Sequence, residues 1–393
     1  MSKLLKILCC LLSCCVLACL TFTGCTDTKQ NPPDTTTEVP GDEEKPGENL
    51  GGEDPMPERD IEALNPADNG TASRANETVA AFVKNYEPRS SKRYTDGTDM
   101  YAPAGLDLSW SCKQSAESYT VTLSRSRDMS EPVTYQTAES QLHIDDLFVA
   151  TDYYWQVTAE TEGGTALTSD VFHFTTAEEP RTISVEGVSN TRDIGGYAAL
   201  DGKRVKQGMV YRGGNLDGMT KAGKQKLLET YGIRTDLDLR GSEGKEALVG
   251  TGVQYINISA PSYASGISAA ANKKAIADII KVFADEENYP IYMHCAIGRD
   301  RTGTVAMLLE TLLGVGINDF YLDYEMSLFS VAGCSDDTPV NKLMGTYFDP
   351  TYYYIEEYGK NADATLAEKC EQFLIDCGVT ADEIAAIRSI LLV

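Results

Sequence analysis

The stretch IYMHCAIGRDRTGTVAMLLETLLG, Ile291–Gly314, organises the reading of this chain. Ile291, Tyr292 and Met293 are apolar and short in run, which predicts a buried strand. His294-Cys295 follow, then a short loop holding Gly298. Arg301-Thr302-Gly303 then lead into an apolar run that predicts a helix ending at Gly314. Strand, tight loop and helix in one run predict an α/β architecture.

Cys295-x5-Arg301 followed by Thr302 resembles the phosphate-binding loop of the cysteine-dependent protein tyrosine phosphatases. The chemistry needs those residues at that spacing. A thiol attacks phosphorus as thiolate. At the lip of a helix N-terminus Cys295 meets unpaired backbone N–H groups and the positive end of the helix dipole, which stabilise negative charge and bind a phosphate dianion. Gly298 lets the loop turn so that the amides of Ala296, Ile297, Gly298 and Arg299 face inward. Arg301 can fork onto two phosphate oxygens and hold them more tightly as charge spreads in the transition state. The Thr302 hydroxyl can donate to the thiolate. His294 is read as holding the loop through its ring nitrogens, a role that overlaps with a satisfied core histidine. The plain alternative for the whole run is a buried cysteine before an ordinary helix.

Flanking motifs narrow the resemblance. NTRDIGGY (Asn190 to Tyr197) is similar to the Asn-Phe-Arg-Asp-Leu-Gly-Gly-Tyr opening of the bacterial tyrosine phosphatases that also dephosphorylate phosphoinositides, the family of the secreted mycobacterial phosphatase B. Tyr211-Arg212, the Tyr231-Gly232-Ile233 turn and a strand ending in Asp238-Leu239-Arg240, with acids Glu243 and Glu246 nearby, fit the same family. The resemblance spans residues 183–393. It implies a central sheet flanked by helices, a phosphocysteine intermediate, and neither metal nor cofactor. It places a general acid at Asp300, inside the loop, with Asp238 as runner-up; Asp238 also reads as a structural partner of Arg240 or Arg301. Arg192-Asp193 reads as an ion pair bracing the loop. The family usually has Ala-Gly-Lys-Asp-Arg where this chain has Ile297-Gly298-Arg299-Asp300-Arg301. In phosphoinositide-active relatives that Lys contacts extra phosphates, and an Arg at 299 can do so with different geometry. The loop Ala260 to Gly266, after the strand VQYINIS, carries no acid. The Tyr-rich stretch from Ile317 to Tyr358 reads mostly as helix packing, with some rings lining a deep pocket. Two helices are expected from Ala362, the second opened by a Thr380-x-x-Glu383 capping box.

Upstream, LDLSW (106–110), YTVTLSR (119–125), TDYYWQVTAE (151–160) and VFHFTT (171–176) alternate apolar and polar residues with period two. Such strands predict an antiparallel sandwich. Their order resembles a fibronectin type III domain over residues 95–178, which implies a smaller all-β module serving as a spacer or as a docking site for a protein or glycan.

Lys3 and Lys6 precede an apolar run from Leu4 to Leu20, then Phe22-Thr23-Gly24-Cys25. This resembles a bacterial lipoprotein signal over residues 1–24, with Cys25 as the lipidated residue; Phe stands where Leu is usual. A plain signal peptide or an N-terminal anchor is the alternative. An exported protein follows from either, and the lipoprotein reading adds anchoring at a bacterial cell surface. Residues 25–90 read as an acidic disordered tether with a short helix near Ala75 to Tyr86, because the run to about Asp60 has too few large apolar residues to order itself.

The composition agrees with this layout. The chain has 393 residues, 42% hydrophobic and 24% charged, enough for real cores. Its 34 Lys+Arg against 59 Asp+Glu give a net charge of −25, which argues against nucleic acid as a partner. Six of the 11 cysteines lie at or before Cys25, and the five beyond are irregularly spaced, so no disulfide framework is indicated. Cys370 and Cys377 are about 10 Å apart along one helix and cannot bridge. The leading expectation is an exported phosphatase acting on phosphotyrosine proteins or phosphoinositides. An inositol-phosphate or phytate phosphatase is one alternative. A surface-binding protein whose phosphatase fold only holds phosphate is the other.

Overall fold

The computed structural model describes residues 59–95, 98–330, 340–360 and 362–393. The leader, Cys25, the first part of the tether and Cys334 lie outside the described residues. No helix among the described residues is long and apolar enough to cross a membrane.

The first half is rich in strands. β1 (Ile61–Asn65) and β2 (Gly70–Ala72) precede helix α1 (Glu77–Lys84). Then come β3 (Leu106–Cys112), β4 (Ala116–Ser124), β5 (Val133–Thr137), β6 (Gln141–Ile144), β7 (Asp152–Thr161), β8 (Ala166–Thr168) and β9 (Phe172–Thr176). One sheet has the order β1-β3-β6; the other runs β2-β9-β7-β4-β5, with β8 on β7. The period-two alternation is visible in β7, where Tyr153, Trp155, Val157 and Ala159 are buried and the residues between are not. Those side chains share one cluster with Trp110, Val121, Phe172 and Phe174.

This corrects the tether drawn to residue 90. Ile61 pairs with Cys112 and joins the Trp110 cluster, and Gly70–Ala72 runs parallel to Phe174–Thr176. The sandwich therefore starts before residue 95. The composition of a short edge strand is a poor guide, because its order comes from the strand it pairs with. α1 is capped by Asn76, whose side-chain oxygen accepts from the Val79 amide at 2.9 Å.

The second half is α/β. In chain order it contains β10 (Arg192–Asp193), β11 (Val210–Gly213), α2 (Lys221–Gln225), β12 (Thr235–Asp238), β13 (Gln254–Asn257), α3 (Tyr263–Ile267), α4 (Lys273–Val282), β14 (Ile291–His294), α5 (Arg301–Leu313) and α6 (Ile317–Met326). The sheet order is β10-β11-β14-β12-β13. β11, β14, β12 and β13 are mutually parallel where they pair, and β10 is antiparallel to β11. β14 is thus central, with all four residues buried. Gly213, His294 and Asp238 lie level at the carboxyl ends of three neighbouring strands. Ligands of open parallel sheets bind at this edge.

α5 leaves that edge. Every residue from Thr302 to Leu313 is buried, as expected for an interior helix, and Gly314 ends it at φ 76°. The helix Leu366–Cys377 packs on it, with Cys370 Sγ 3.4 Å from the Leu308 carbonyl. Both C-terminal helices, Leu366–Cys377 and Ala381–Leu391, open with a full capping box, at Thr365/Glu368 and Thr380/Glu383. Cys370 and Cys377 share one helix and are free thiols.

The two halves are tied by buried polar contacts. Arg181 donates to Asp193 at 2.7 Å and lies over the rings of Phe148 and Tyr211. Gln207 exchanges two hydrogen bonds with the backbone of Val149, at 2.8 and 2.9 Å.

Candidate active site

The loop between β14 and α5 is shaped from outside. Three successive carbonyls, those of Ala296, Ile297 and Gly298, are held by donors at its back. The Cys295 carbonyl is 3.2 Å from His294 Nδ1. That of Ala296 accepts from the Asn215 amide at 3.2 Å and from Asn215 Nδ2 at 2.8 Å. Ile297 accepts from Asn190 Nδ2 at 2.9 Å, and Gly298 from Arg212 Nη2 at 2.8 Å. In a trans peptide the N–H points opposite to the C=O. Holding the carbonyls of Ala296, Ile297 and Gly298 outward therefore turns the amides of residues 297 to 299 the other way. Among the described residues, no acceptor takes up the amides of Ala296, Ile297 or Gly298. The result is a row of donors beside Cys295 at a helix N-terminus, a ready anion site.

The loop's side chains are set by neighbours. Cys295 is buried, and so is Thr302, whose hydroxyl has no hydrogen-bond partner among the described residues. Arg301 donates to the Arg240 carbonyl and to Glu243 Oε2, both at 3.3 Å. Those bonds aim the guanidinium and leave further N–H groups for an anion. Arg299 Nε sits 3.1 Å from Asp300 Oδ1. Tyr263 donates to the same carboxylate oxygen, and its hydroxyl is 2.8 Å from that of Tyr324. Burial, the Tyr324 hydroxyl and the Asp300 charge push the Tyr263 hydroxyl far above the ordinary tyrosine value. It therefore stays protonated and donates. Tyr347, half exposed, packs against the Tyr263 ring at 5.0 Å between centroids.

Beneath the loop lies a buried charge cluster. Register places Arg192 of β10 directly opposite Arg212 of β11. Two like charges side by side destabilise a sheet unless something lies between them. Asp323 of α6 supplies it. Arg192 Nε donates to Asp323 Oδ1 at 2.6 Å, and Arg212 Nη1 donates to Asp323 Oδ2. Burial alone would raise the Asp323 carboxyl, but the two guanidiniums outweigh it and hold it below the usual range. The expected Arg192–Asp193 pair is thereby corrected. Adjacent strand residues point to opposite faces; Arg192 turns to Asp323, and Asp193 turns to Arg181 and the amides of Gly195 and Gly208.

His294 is fully buried, with Nε2 2.8 Å from Asp236 Oδ1. Asp238 resolves toward Arg240 and away from Arg301. It accepts from Arg240 Nε, Nη2 and backbone N, from the Lys245 amide and from the Tyr255 hydroxyl, all within 3.2 Å. Burial would raise it, yet the Arg240 hydrogen bonds and His294 prevail, and its carboxyl lies below the ordinary value. An acid held ionised by so many donors is poorly placed to give up a proton. Asp300 carries fewer contacts and sits in the loop itself.

Several residues of the site were not singled out from sequence. Asn190 and Arg212 stood inside quoted motifs without a role. Asn215, Asp236, Tyr263 and Asp323 had no local signal, since each acts across a long sequence separation.

With this geometry in hand, comparisons with known proteins can be weighed. A protein of Cupriavidus necator named as a candidate tyrosine-protein phosphatase is 28% identical over 248 residues, covering 51% of this chain and 90% of its own length. The core catalytic domain of the PP-IP phosphatase SIW14 from S. cerevisiae, solved with citrate, aligns with 39% of this chain and 85% of its own at 16% identity; its TM-score of 0.26 is too low to carry an argument. The profile of the tyrosine phosphatase family matches residues 183–393, which is more than half of the chain and includes β10 through the last helix with the whole Cys295 loop. The chain belongs to the tyrosine phosphatase family, and it is a phosphatase.

Proposed function

We propose that this chain is an exported, lipid-anchored phosphatase that hydrolyses phosphotyrosine through a phosphocysteine intermediate. The observation that carries the reading is the outward pinning of the three carbonyls from Ala296 to Gly298, which turns their partner amides toward one anion. The Cys295 thiolate attacks phosphorus and forms an S–P bond. The ester P–O bond breaks, and Asp300 gives the leaving oxygen its proton. Water then attacks phosphorus, Asp300 takes up a proton from it, and the S–P bond breaks to return the thiolate and release phosphate. Arg301 and the loop amides hold the equatorial oxygens throughout. Thr302 steadies the thiolate when the phosphoryl group departs.

Phosphotyrosine is favoured over phosphoinositide by two contacts. The Tyr263–Tyr347 pair offers a ring surface next to Asp300. The Arg299 side chain is turned onto Asp300 and is only 11% exposed, so it is not extended toward a second phosphate. The kinship to the mycobacterial phosphatase B group, the fibronectin type III character of the strand-rich half and the lipid anchor at Cys25 rest on the sequence resemblances above. The strand-rich half is proposed as a spacer or docking module.

The test is phosphate release from phosphotyrosine peptides, phosphoserine peptides, phosphoinositides and phytate, with Cys295→Ser alongside, under reducing conditions. Release from phosphotyrosine that vanishes in Cys295→Ser supports the reading. Preferential release from inositol phosphates moves the substrate class. Phosphate binding without turnover would leave only the binder. Membrane fractionation of a Cys25→Ala variant tests the anchor, and an unchanged membrane fraction would overturn it.

A further inference from the structure

Residues 73–95 and 98–101 lie outside the stretch that matches the family, yet the fold packs them against the catalytic half. Two carboxylates take up their backbone, one just before the family-matching stretch and one within it. Glu179 accepts from the amides of Arg74 at 2.9 Å and Ala75 at 3.0 Å. Glu325 of α6, fully buried, accepts from the Ser91 amide at 3.1 Å, from the Tyr86 hydroxyl at 3.2 Å and from the Arg89 amide. Val79 and Phe82 of α1 share a cluster with Tyr101, Leu322, Met326 and Phe329.

Tyr101 is where this packing meets the site. It is buried, and its hydroxyl accepts from Arg192 Nη1 at 3.1 Å. The same nitrogen donates to Asn190 Oδ1 at 2.7 Å, and Asn190 Nδ2 holds the Ile297 carbonyl. The other side of Arg192 holds Asp323, which fixes Arg212, which holds the Gly298 carbonyl. Two of the held carbonyls, those of Ile297 and Gly298, are thus restrained by groups that Arg192 braces. Without the Tyr101 oxygen, one N–H of a fully buried guanidinium has, among the described residues, no acceptor nearer than the Asn190 carbonyl at 3.5 Å. The guanidinium then shifts to find one, and the Asn190 link shifts with it. Burial raises the Tyr101 hydroxyl to about 12, so it stays neutral where the enzyme works.

We propose that Tyr101 is a positioning residue of the phosphate loop, and that the described residues from Ser73 to Tyr101 belong to the phosphatase and not to a linker. This rests on the phosphatase reading above. The experiment compares the full chain with Tyr101→Phe, Phe82→Leu and Cys295→Ser. It reads turnover of an aryl phosphate, affinity for inorganic phosphate by calorimetry, and the thermal midpoint.

For Tyr101→Phe, kcat should fall about threefold to tenfold, with phosphate affinity weakened by a similar factor. Phe82→Leu removes packing in the same cluster without touching the polar chain. It should lower the thermal midpoint and leave both kcat and phosphate affinity as in the wild type. Unchanged kcat and phosphate affinity in Tyr101→Phe would overturn the proposal, whatever happens to its thermal midpoint. No turnover in the wild type would overturn the phosphatase reading instead, and the phosphate affinities would still decide the role of Tyr101.

Discussion

Replacing Gly298 by alanine tests the cradle at its tightest point. Gly298 sits at φ +75°, where an alanine is strained by about 1–2 kcal/mol. A Cβ there would lie 2.3 Å from both the carbonyl carbon and oxygen of Gly213 and 2.8 Å from the Gly214 nitrogen. Ordinary contact begins at 3.4 Å, so a gap of 3.4 − 2.3 = 1.1 Å must open. The obstacle is backbone at the end of β11, paired with β14 and anchored through Gly214 N to the Ser189 carbonyl at 2.9 Å. It cannot swing aside as a side chain would, so the loop moves. That movement gives up the Arg212 bond to the Gly298 carbonyl, a charge-assisted bond of about 1.5–3 kcal/mol. Strain and lost bond together predict about 2.5–5 kcal/mol off the unfolding free energy in urea. A displacement of about 1 Å at a reacting centre lowers rates by about a hundredfold. The assay is steady-state hydrolysis of p-nitrophenyl phosphate with reductant present, at a temperature where the variant is folded. A kcat/KM within about threefold of wild type would refute the claim that loop shape makes the site.

The two candidate acids separate by mutation. Asp300→Asn should lower kcat about 10²-fold or more on a substrate with a poor leaving group, whereas Asp238→Asn should chiefly lower stability; equal kcat losses with intact folding would contradict the assignment. Glu310, buried in α5 with one oxygen unpartnered, has its carboxyl raised well above the ordinary value, burial first and the Asp323 charge second. A raised carboxyl binds its proton in the folded state while the unfolded chain has lost it, so stability falls as pH rises above the ordinary glutamate value, by up to about 1.4 kcal/mol per pH unit. Glu310→Gln should therefore raise the thermal midpoint at neutral pH and flatten its pH dependence, and a lower midpoint at pH 7 would count against a neutral Glu310. Hydrogen peroxide should abolish activity, with recovery in thiol reductant if oxidation stops at the first step; full activity after prolonged exposure would remove Cys295 from the reaction.

Much of the site was legible because its signal is local. Strand, His-Cys, Gly298 and Arg-Thr-Gly run consecutively, and helix and strand periods mark what flanks them. The restraints were not legible, because they converge from afar. Asp323 meets Arg192 across 131 residues, and Arg212 meets Gly298 across 86. Nothing near Asp323 in sequence announces that it lies between two arginines, because the β10–β11 register creates that need. The Arg192–Asp193 expectation failed for the same reason: neighbours in sequence point apart in a strand. Tyr263 was passed over in a loop scanned for acids, though its hydroxyl reaches one. The acidic run before α1 misled because Ile61 depends on β3 for its place.

The central position of β14 has a consequence for biosynthesis. The strand that leads into the catalytic loop emerges from the ribosome after both of its sheet neighbours. Until Ile291–His294 arrives, β11 and β12 each present an unpaired parallel edge, a template for mispairing. A chain truncated before residue 291 thus has neither a closed sheet nor a nucleophile. Activity appears only when the gap is filled. A phosphatase with this arrangement is inert for most of its synthesis, and holding the two edges apart is the task any accompanying chaperone would face.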